Sequence, residues 1–187
     1  MIDLDLIDET HRVYQGSINA ITDPPASVNA LMLLTPDNAI WVPGVRRCEG
    51  GPLIAYTQMG INDDPMHFPG LVWLQSAVQV ARTYVDAGWG LAILCGAGVS
   101  RSSMLTAALL MDLYNEWDVE KAIARITAKR PAANPNAGFR AGLHDWAAWR
   151  GSLEQKETAP PDSLSGSTET RVTADHSPGG TDGPTDR

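Results

Sequence analysis

Ten consecutive residues hold the densest chemistry in the chain: Leu94-Cys95-Gly96-Ala97-Gly98-Val99-Ser100-Arg101-Ser102-Ser103. Cys95 closes an apolar run, and Arg101 follows six positions later with only small residues between them. A backbone so lightly substituted can curl tightly and turn successive N–H groups into one concavity at the positive end of the next helix. An oxyanion such as phosphate fits that nest. Arg101 adds a planar, permanently charged fork able to grip two oxygens at once. The same field favours thiolate over thiol at Cys95, which makes it a nucleophile at neutral pH. Spacing alone decides little. With 11 Arg and two Cys in 187 residues, a Cys with an Arg six residues on arises by chance in about one chain in nine. Gly98, the Ser102 hydroxyl, the strand before and the helix after make the segment specific. The bland readings are a quiet core thiol at Cys95 and a surface helix residue at Arg101; the loop between them favours chemistry.

The elements that position this loop follow from the pattern around it. Leu91-Ala92-Ile93-Leu94 is an uninterrupted apolar run, as expected of a central buried strand. A helix is predicted over 101–114, lined by Leu105, Leu109, Met111 and Leu113. Before the strand, Leu71, Leu74, Ala77, Val78, Ala81, Tyr84 and Val85 recur on one face of a helix over about 69–87, stopped by Gly88-Trp89-Gly90. Earlier strands are predicted over 11–16, 29–34 (with a helix as the alternative) and 52–59, and residues 35–51 read mainly as loop. Asp118 caps a helix to about Lys129, which Arg130-Pro131 ends. Pro135-Asn136 opens a last helix with Phe139, Leu143 and Trp146 at i, i+4 and i+7. The expected fold is α/β: a small central, mostly parallel sheet flanked by helices.

After Trp149 the texture changes to Ser, Thr, Pro, Gly and Asp without period. Residues 1–150 are therefore read as the folded domain and 151–187 as a disordered tail. The chain is 43% hydrophobic and 19% charged, which suits a globular core. Twenty-two acids against 14 Lys and Arg give a net charge of -8, which argues against nucleic-acid and anionic-membrane partners. No apolar run approaches membrane-spanning length. The first nine residues lack the basic head and apolar stretch of a leader, so the expected location is cytoplasmic. Two cysteines, Cys48 and Cys95, exclude a disulfide framework.

Cys95-x-x-Gly98-x-x-Arg101-Ser102 matches the signature of the cysteine-dependent protein tyrosine phosphatases, and Ala97-Gly98-Val99-Ser100-Arg101-Ser102 most resembles their dual-specificity branch. The resemblance reaches further. Val13-Tyr14-Gln15-Gly16-Ser17 resembles that branch's opening strand. Ile61-Asn62-Asp63-Asp64-Pro65 resembles its general-acid loop, and Arg130-Pro131 followed by Pro135-Asn136-x-Gly138-Phe139 its ending. The likeness covers nearly all of 11–149. It implies a dual-specificity-phosphatase-like fold and a two-step displacement needing neither metal nor other cofactor. In that scheme Cys95 is the nucleophile and Asp63 the general acid, with Asp64 its competitor. Arg101 and the amides of Gly96, Ala97, Gly98, Val99 and Ser100 bind the phosphoryl oxygens, and Ser102 supports the thiolate. The implied substrate is a phosphorylated protein carrying phosphotyrosine, with phosphoserine or phosphothreonine beside it. Cys48 is a candidate disulfide partner for an oxidised Cys95.

One position departs from the family. Leu94 stands where a His usually precedes the cysteine, which predicts a less well held thiolate and a slower enzyme. The alternative function is accordingly a catalytically weak phosphate- or phosphoprotein-binding module of the same fold. A loop interior without Lys or Arg ranks phosphoinositides and RNA ends below phosphoproteins. Reading Ser100 as a serine-hydrolase nucleophile with His144 fails because Ser102 stands where that elbow wants Gly. Sulfur transfer by a rhodanese-like domain fits the arginine spacing less well. His67 and His144 lack metal-ligand spacing and read as structural. Trp41 and Trp89 are candidates to rim the site, and Arg46-Arg47 to contact an acidic substrate.

Overall fold

The computed structural model describes residues 3–36, 44–47 and 53–158. Six strands, β1 (Leu4–Asp8), β2 (Val13–Ser17), β3 (Ala30–Leu33), β4 (Gly44–Arg47), β5 (Leu53–Gln58) and β6 (Leu91–Cys95), form one sheet. Their spatial order is β1-β2-β6-β3-β5-β4. The four inner strands run parallel, and β1 and β4 pair antiparallel at the two edges. The sheet is thus mostly parallel, as the apolar run at its centre predicts. Four helices follow: α1 (Leu71–Asp86), α2 (Arg101–Tyr114), α3 (Val119–Lys129) and α4 (Ala137–Thr158).

Register explains where a site can form. Ser17 lies opposite Cys95, Leu33 opposite Leu94, and Gln58 opposite Leu33. The carboxyl ends of β2, β3, β5 and β6 are therefore level, and the loops leaving them meet at one edge, the place where open α/β sheets bind ligands.

The two sheet faces are unequal. Leu91, Ile93 and Cys95 belong to the larger apolar cluster, which takes side chains from all four helices. Ala92 and Leu94 point the other way, into a smaller cluster with Leu31, Leu33, Ile54, Tyr14 and Tyr56. That second face is closed by a 3-10 turn over Ile18–Ile21 and the segment around Val28. Helix α2 is buried from Ser102 through Met111, because α1, α3 and α4 all pack around it. A helix enclosed on every side has to be small or apolar all round.

The local stop and start signals operate as read. Asp118 accepts the Lys121 N–H at 3.0 Å to open α3, and Asn136 accepts the Phe139 N–H at 3.0 Å to open α4. Gly88 takes φ +74° just past α1, a left-handed turn that favours glycine. Three features differ from expectation. β1 and β4 are strands where none was predicted. Helix α4 continues through Thr158, eight residues into the stretch read as tail; residues 159–187 lie outside the described residues. Trp89 precedes β6, at the opposite end of that strand from Cys95, and stacks on Tyr84 with centroids 5.8 Å apart. It therefore does not rim the Cys95 loop.

Candidate active site

Cys95 ends β6 with 1% exposure, and its Sγ lies 3.3 Å from the Oγ of Ser102, in the first turn of α2. The loop between them is held by its carbonyls. Gly96 O accepts the Ile18 N–H at 3.4 Å, and Val99 O accepts the Asn134 N–H at 2.9 Å and the Ser103 hydroxyl. Ala97 O accepts Arg130 Nη2 at 3.4 Å. Gly98 O accepts Arg130 Nε at 2.7 Å and Gln15 Nε2 at 3.3 Å. Across a planar trans peptide the C=O and N–H point oppositely. Fixing these four carbonyls therefore turns the N–H groups of Ala97, Gly98, Val99 and Ser100 away from those donors, the arrangement an anion nest requires.

Gly98 makes the curl possible. Its φ is +68°, and a Cβ there would meet the Gly16 carbonyl carbon at 2.5 Å and the Ser17 nitrogen at 2.6 Å. No larger residue fits between the loop and β2.

Arg101 begins α2 and bends over the loop. Its Nη1 donates to Ile61 O at 3.3 Å and Leu34 O at 3.4 Å. Its Nε faces Asp63 Oδ2 at 3.4 Å, an ion pair without an aligned hydrogen bond. The carboxylate on the loop after β5 thus reaches the loop after β6. Its other oxygen, Oδ1, accepts the Ser100 hydroxyl at 2.8 Å and Asn136 Nδ2 at 2.9 Å. Asp64 turns away and accepts the Met66 N–H at 2.8 Å as a local turn contact. Between the two carboxylates, the structure brings Asp63 alone to the arginine.

Behind the loop stands Arg130, 6% exposed, which the sequence marked as a helix stop and as part of the stretch resembling the family's ending, not as a support of the loop. Besides its two loop carbonyls it pairs with Asp5 on the edge strand and Asp3 just before it, each at 2.7 Å. Burial works against its charge, but hydrogen bonds and charge from Asp5 and Asp3 outweigh burial and hold the guanidinium more firmly protonated than usual. Burial likewise opposes ionisation of Asp3, and hydrogen bonds from Ser17 and Arg130 win, leaving its carboxyl below the ordinary range. Gln15 joins the same support, donating to Ser103 Oγ at 2.8 Å as well as to Gly98 O.

The remaining sequence candidates divide plainly. Leu94 is fully buried and points into the apolar cluster on the sheet face opposite Cys95. His144 is an exposed partner of Glu120 at 3.7 Å. His67 lines a cleft of about 360 Å³ with Pro36, Ile61, Asn62 and Trp73, beside the Asp63 loop. Cys48, Trp41 and the side chains of Arg46 and Arg47 lie outside the described residues, so the Cys48 pairing and the basic contact have no structural account. Among the described residues no group of three or more His, Cys, Asp and Glu is placed to hold a metal ion. No helix among them is long and apolar enough to cross a membrane.

Comparison with known proteins converges on one family. Tyrosine-protein phosphatase yvh1 of Schizosaccharomyces pombe is 47% identical over 45 residues, 24% of this chain and 13% of that protein. Dual specificity protein phosphatase 15 of Mus musculus is 31% identical over 97 residues, 50% of this chain and 40% of that one. Each match spans less than half of the curated relative. Among solved structures, a mouse dual specificity phosphatase complexed with zinc tungstate superposes with a TM-score of 0.69 at 22% identity, covering 82% of this chain and 92% of that one. A family model described as "Dual specificity phosphatase, catalytic domain" matches residues 47–148, more than half of the chain, and includes Asp63, the whole Cys95 loop and Asn136. On that match the chain belongs to the dual specificity phosphatase family.

Proposed function

We propose that this chain is a cysteine-dependent protein phosphatase acting on phosphotyrosine, with phosphoserine and phosphothreonine as further substrates of the same loop. The observation that carries the reading is the commitment of all four loop carbonyls, Gly96 to Val99, to outside donors. It turns the N–H groups of Ala97 to Ser100 away from those donors, and in this reading they and Arg101 receive the phosphate beside the Cys95 sulfur. In the first step the Cys95 thiolate forms an S–P bond as the P–O bond to the leaving group breaks. That oxygen takes its electron pair and a proton from Asp63. In the second step water forms a new P–O bond, the S–P bond breaks back to thiolate, and the water's proton returns to Asp63. Arg101 and the amides neutralise the equatorial oxygens in both steps, and Ser102 donates to the departing thiolate.

Phosphoprotein is favoured over phosphoinositide because residues 96–100 carry no basic side chain. Leu94 supports a second reading, a weakly catalytic phosphate-binding module, since a Leu turned into the opposite cluster gives the Cys95 loop no polar contact. Hydrolysis of para-nitrophenyl phosphate by wild type and Cys95→Ser, in EDTA and with vanadate, separates the two. Turnover that survives EDTA and is lost with vanadate or with Cys95→Ser establishes the cysteine mechanism. Absent turnover with vanadate still bound establishes the binding module.

A further inference from the structure

Ser100 occupies the position before α2 where a hydroxyl ordinarily caps the helix, yet its side chain makes no capping hydrogen bond. Its oxygen accepts the backbone N–H of Asn136 at 3.1 Å and donates to Asp63 Oδ1 at 2.8 Å. Asn136 donates its own Nδ2 to the same Oδ1 at 2.9 Å, while its Oδ1 caps α4 through Phe139 N–H. Both donors therefore converge on one oxygen of one carboxylate, and among the described residues the other oxygen meets the misaligned Arg101 Nε at 3.4 Å.

Resting on the phosphatase reading above, we propose that Ser100 and Asn136 are positioning residues that decide which oxygen of Asp63 carries the catalytic proton. A neutral carboxyl group has one acceptor oxygen and one donor oxygen. An Oδ1 that receives two hydrogen bonds is fixed as the acceptor, so the proton resides on Oδ2, the oxygen turned toward Arg101 and the loop mouth. A phosphate dianion in the loop draws the Arg101 guanidinium to itself, and Oδ2–H is then aimed at the leaving oxygen. The proton passes from Oδ2 to that oxygen as the P–O bond breaks, and the clamp on Oδ1 is retained through the step. Ser100 gives up a helix cap to do this. A local rule broken at the mouth of a site, with its donor spent on the reacting carboxylate, is the pattern expected of functional constraint.

The test uses the dependence of kcat/KM on the leaving group. A misplaced general acid harms esters whose leaving oxygen needs a proton and spares those whose leaving anion is stable. Asn136→Ser keeps a good helix cap but is too short to reach Asp63, and Ser100→Ala removes the other arm. For each variant the ratio of kcat/KM on dinitrophenyl phosphate to that on phenyl phosphate is expected to rise about 10-fold or more, a part of the roughly 100- to 10,000-fold that a fully placed general acid contributes. In an Asp63→Asn background neither substitution should move that ratio further. Equal losses on both esters, or full additivity with Asp63→Asn, would overturn the clamp and leave the phosphatase reading standing. A wild type no more active than Cys95→Ser would overturn both.

Discussion

Ser102 is fully buried beneath the loop, with its oxygen 3.3 Å from the Cys95 sulfur. A hydrogen bond to an ionised partner is worth about 1.5–3 kcal/mol, so Ser102→Ala should lower kcat about 10- to 100-fold by hindering thiolate departure. The phosphocysteine should then accumulate, visible as a burst of leaving group in rapid-quench kinetics; a slow variant without a burst would place Ser102 in the first step instead. Gly98 makes a second residue-scale case. With φ at +68° and β2 backbone at 2.5–2.6 Å from any added Cβ, Gly98→Ala should cost about 1–3 kcal/mol in backbone strain alone. It should also weaken vanadate binding, because the amides of Gly98 and Val99 turn with it. Unchanged vanadate affinity in a folded variant would remove the loop amides from the phosphate site. At this scale the sequence pointed to Cys95, Gly98, Arg101 and Ser102 as one loop because they lie within eight residues of one another, and the structure sets them around that loop. It was silent on Asn136 and Ser100 as partners of Asp63, since those bonds join residues 73 and 37 positions apart. Arg130 was missed as the anchor of the loop for the same reason. Its place in the stretch resembling the family's ending was the one sign beyond a stop signal.

Among the elements, β1 has the most consequence for the site. It holds Arg130 through Asp5, with Asp3 just ahead of it, and it ties to α2 where Asp8 accepts the Tyr114 hydroxyl, the His11 N–H and ring reaching the same carboxylate from the next turn. Burial opposes ionisation of Asp8, but those bonds outweigh it and hold its carboxyl below the ordinary 3.8. Asp8 therefore binds its proton less tightly folded than unfolded. Its contribution is full above the unfolded value and fades as pH falls through the lower folded one. Tyr114 has the opposite sign. Burial first, then Asp8, raise its hydroxyl above 10.0, so its contribution is full below that value and fades as pH rises past it. Asp8→Asn should lose about 1–3 kcal/mol at neutral pH, with the difference from wild type narrowing at acid pH. Denaturant unfolding across the pH range checks this, and a constant difference down to strongly acid pH would show that the carboxylate charge is not what ties the strand. That strand went unread for a physical reason. Leu4-Asp5-Leu6-Ile7-Asp8 mixes apolar and acidic residues, and Asp5 makes sense only against Arg130, 125 positions away, as Asp8 does against Tyr114, 106 positions away. β4, Gly44–Arg47, is short and held by pairing with β5 alone, so local pattern carries no sign of it. The helices and β6 were legible because their signals are local: the caps at Asp118 and Asn136, the stop at Gly88, and an apolar run buried on both faces.

For the molecule as a whole, the question is where the folded unit ends. Composition placed the boundary near residue 150, because the last apolar period ends at Trp146 and the residue types change after Trp149. Helix α4 nevertheless runs on to Thr158, and what carries it is polar and aromatic contact rather than apolar period. Arg150 donates to Asp112 Oδ1 at 3.1 Å and lies over the Trp117 ring at 5.3 Å. Trp117 in turn donates to Glu154 Oε2 at 3.0 Å and packs edge-on against Trp146, which is fully buried between α4 and the core. Ending the chain at residue 150 removes Glu154 and leaves Arg150 on a fraying last turn, where helix carbonyls have no partner. A chain of residues 1–158 should melt within about 2 °C of the full chain, since residues 159–187 have the composition of segments that cannot bury a core. A chain of residues 1–150 should melt lower by about 2–4 °C for each kcal/mol that the lost contacts supplied. Both keep every group placed at the Cys95 loop, so kcat on para-nitrophenyl phosphate should be the same for all three well below their melting points. If residues 1–158 melt as low as residues 1–150, the segment beyond Thr158 packs on the domain, and the boundary moves toward the end of the chain.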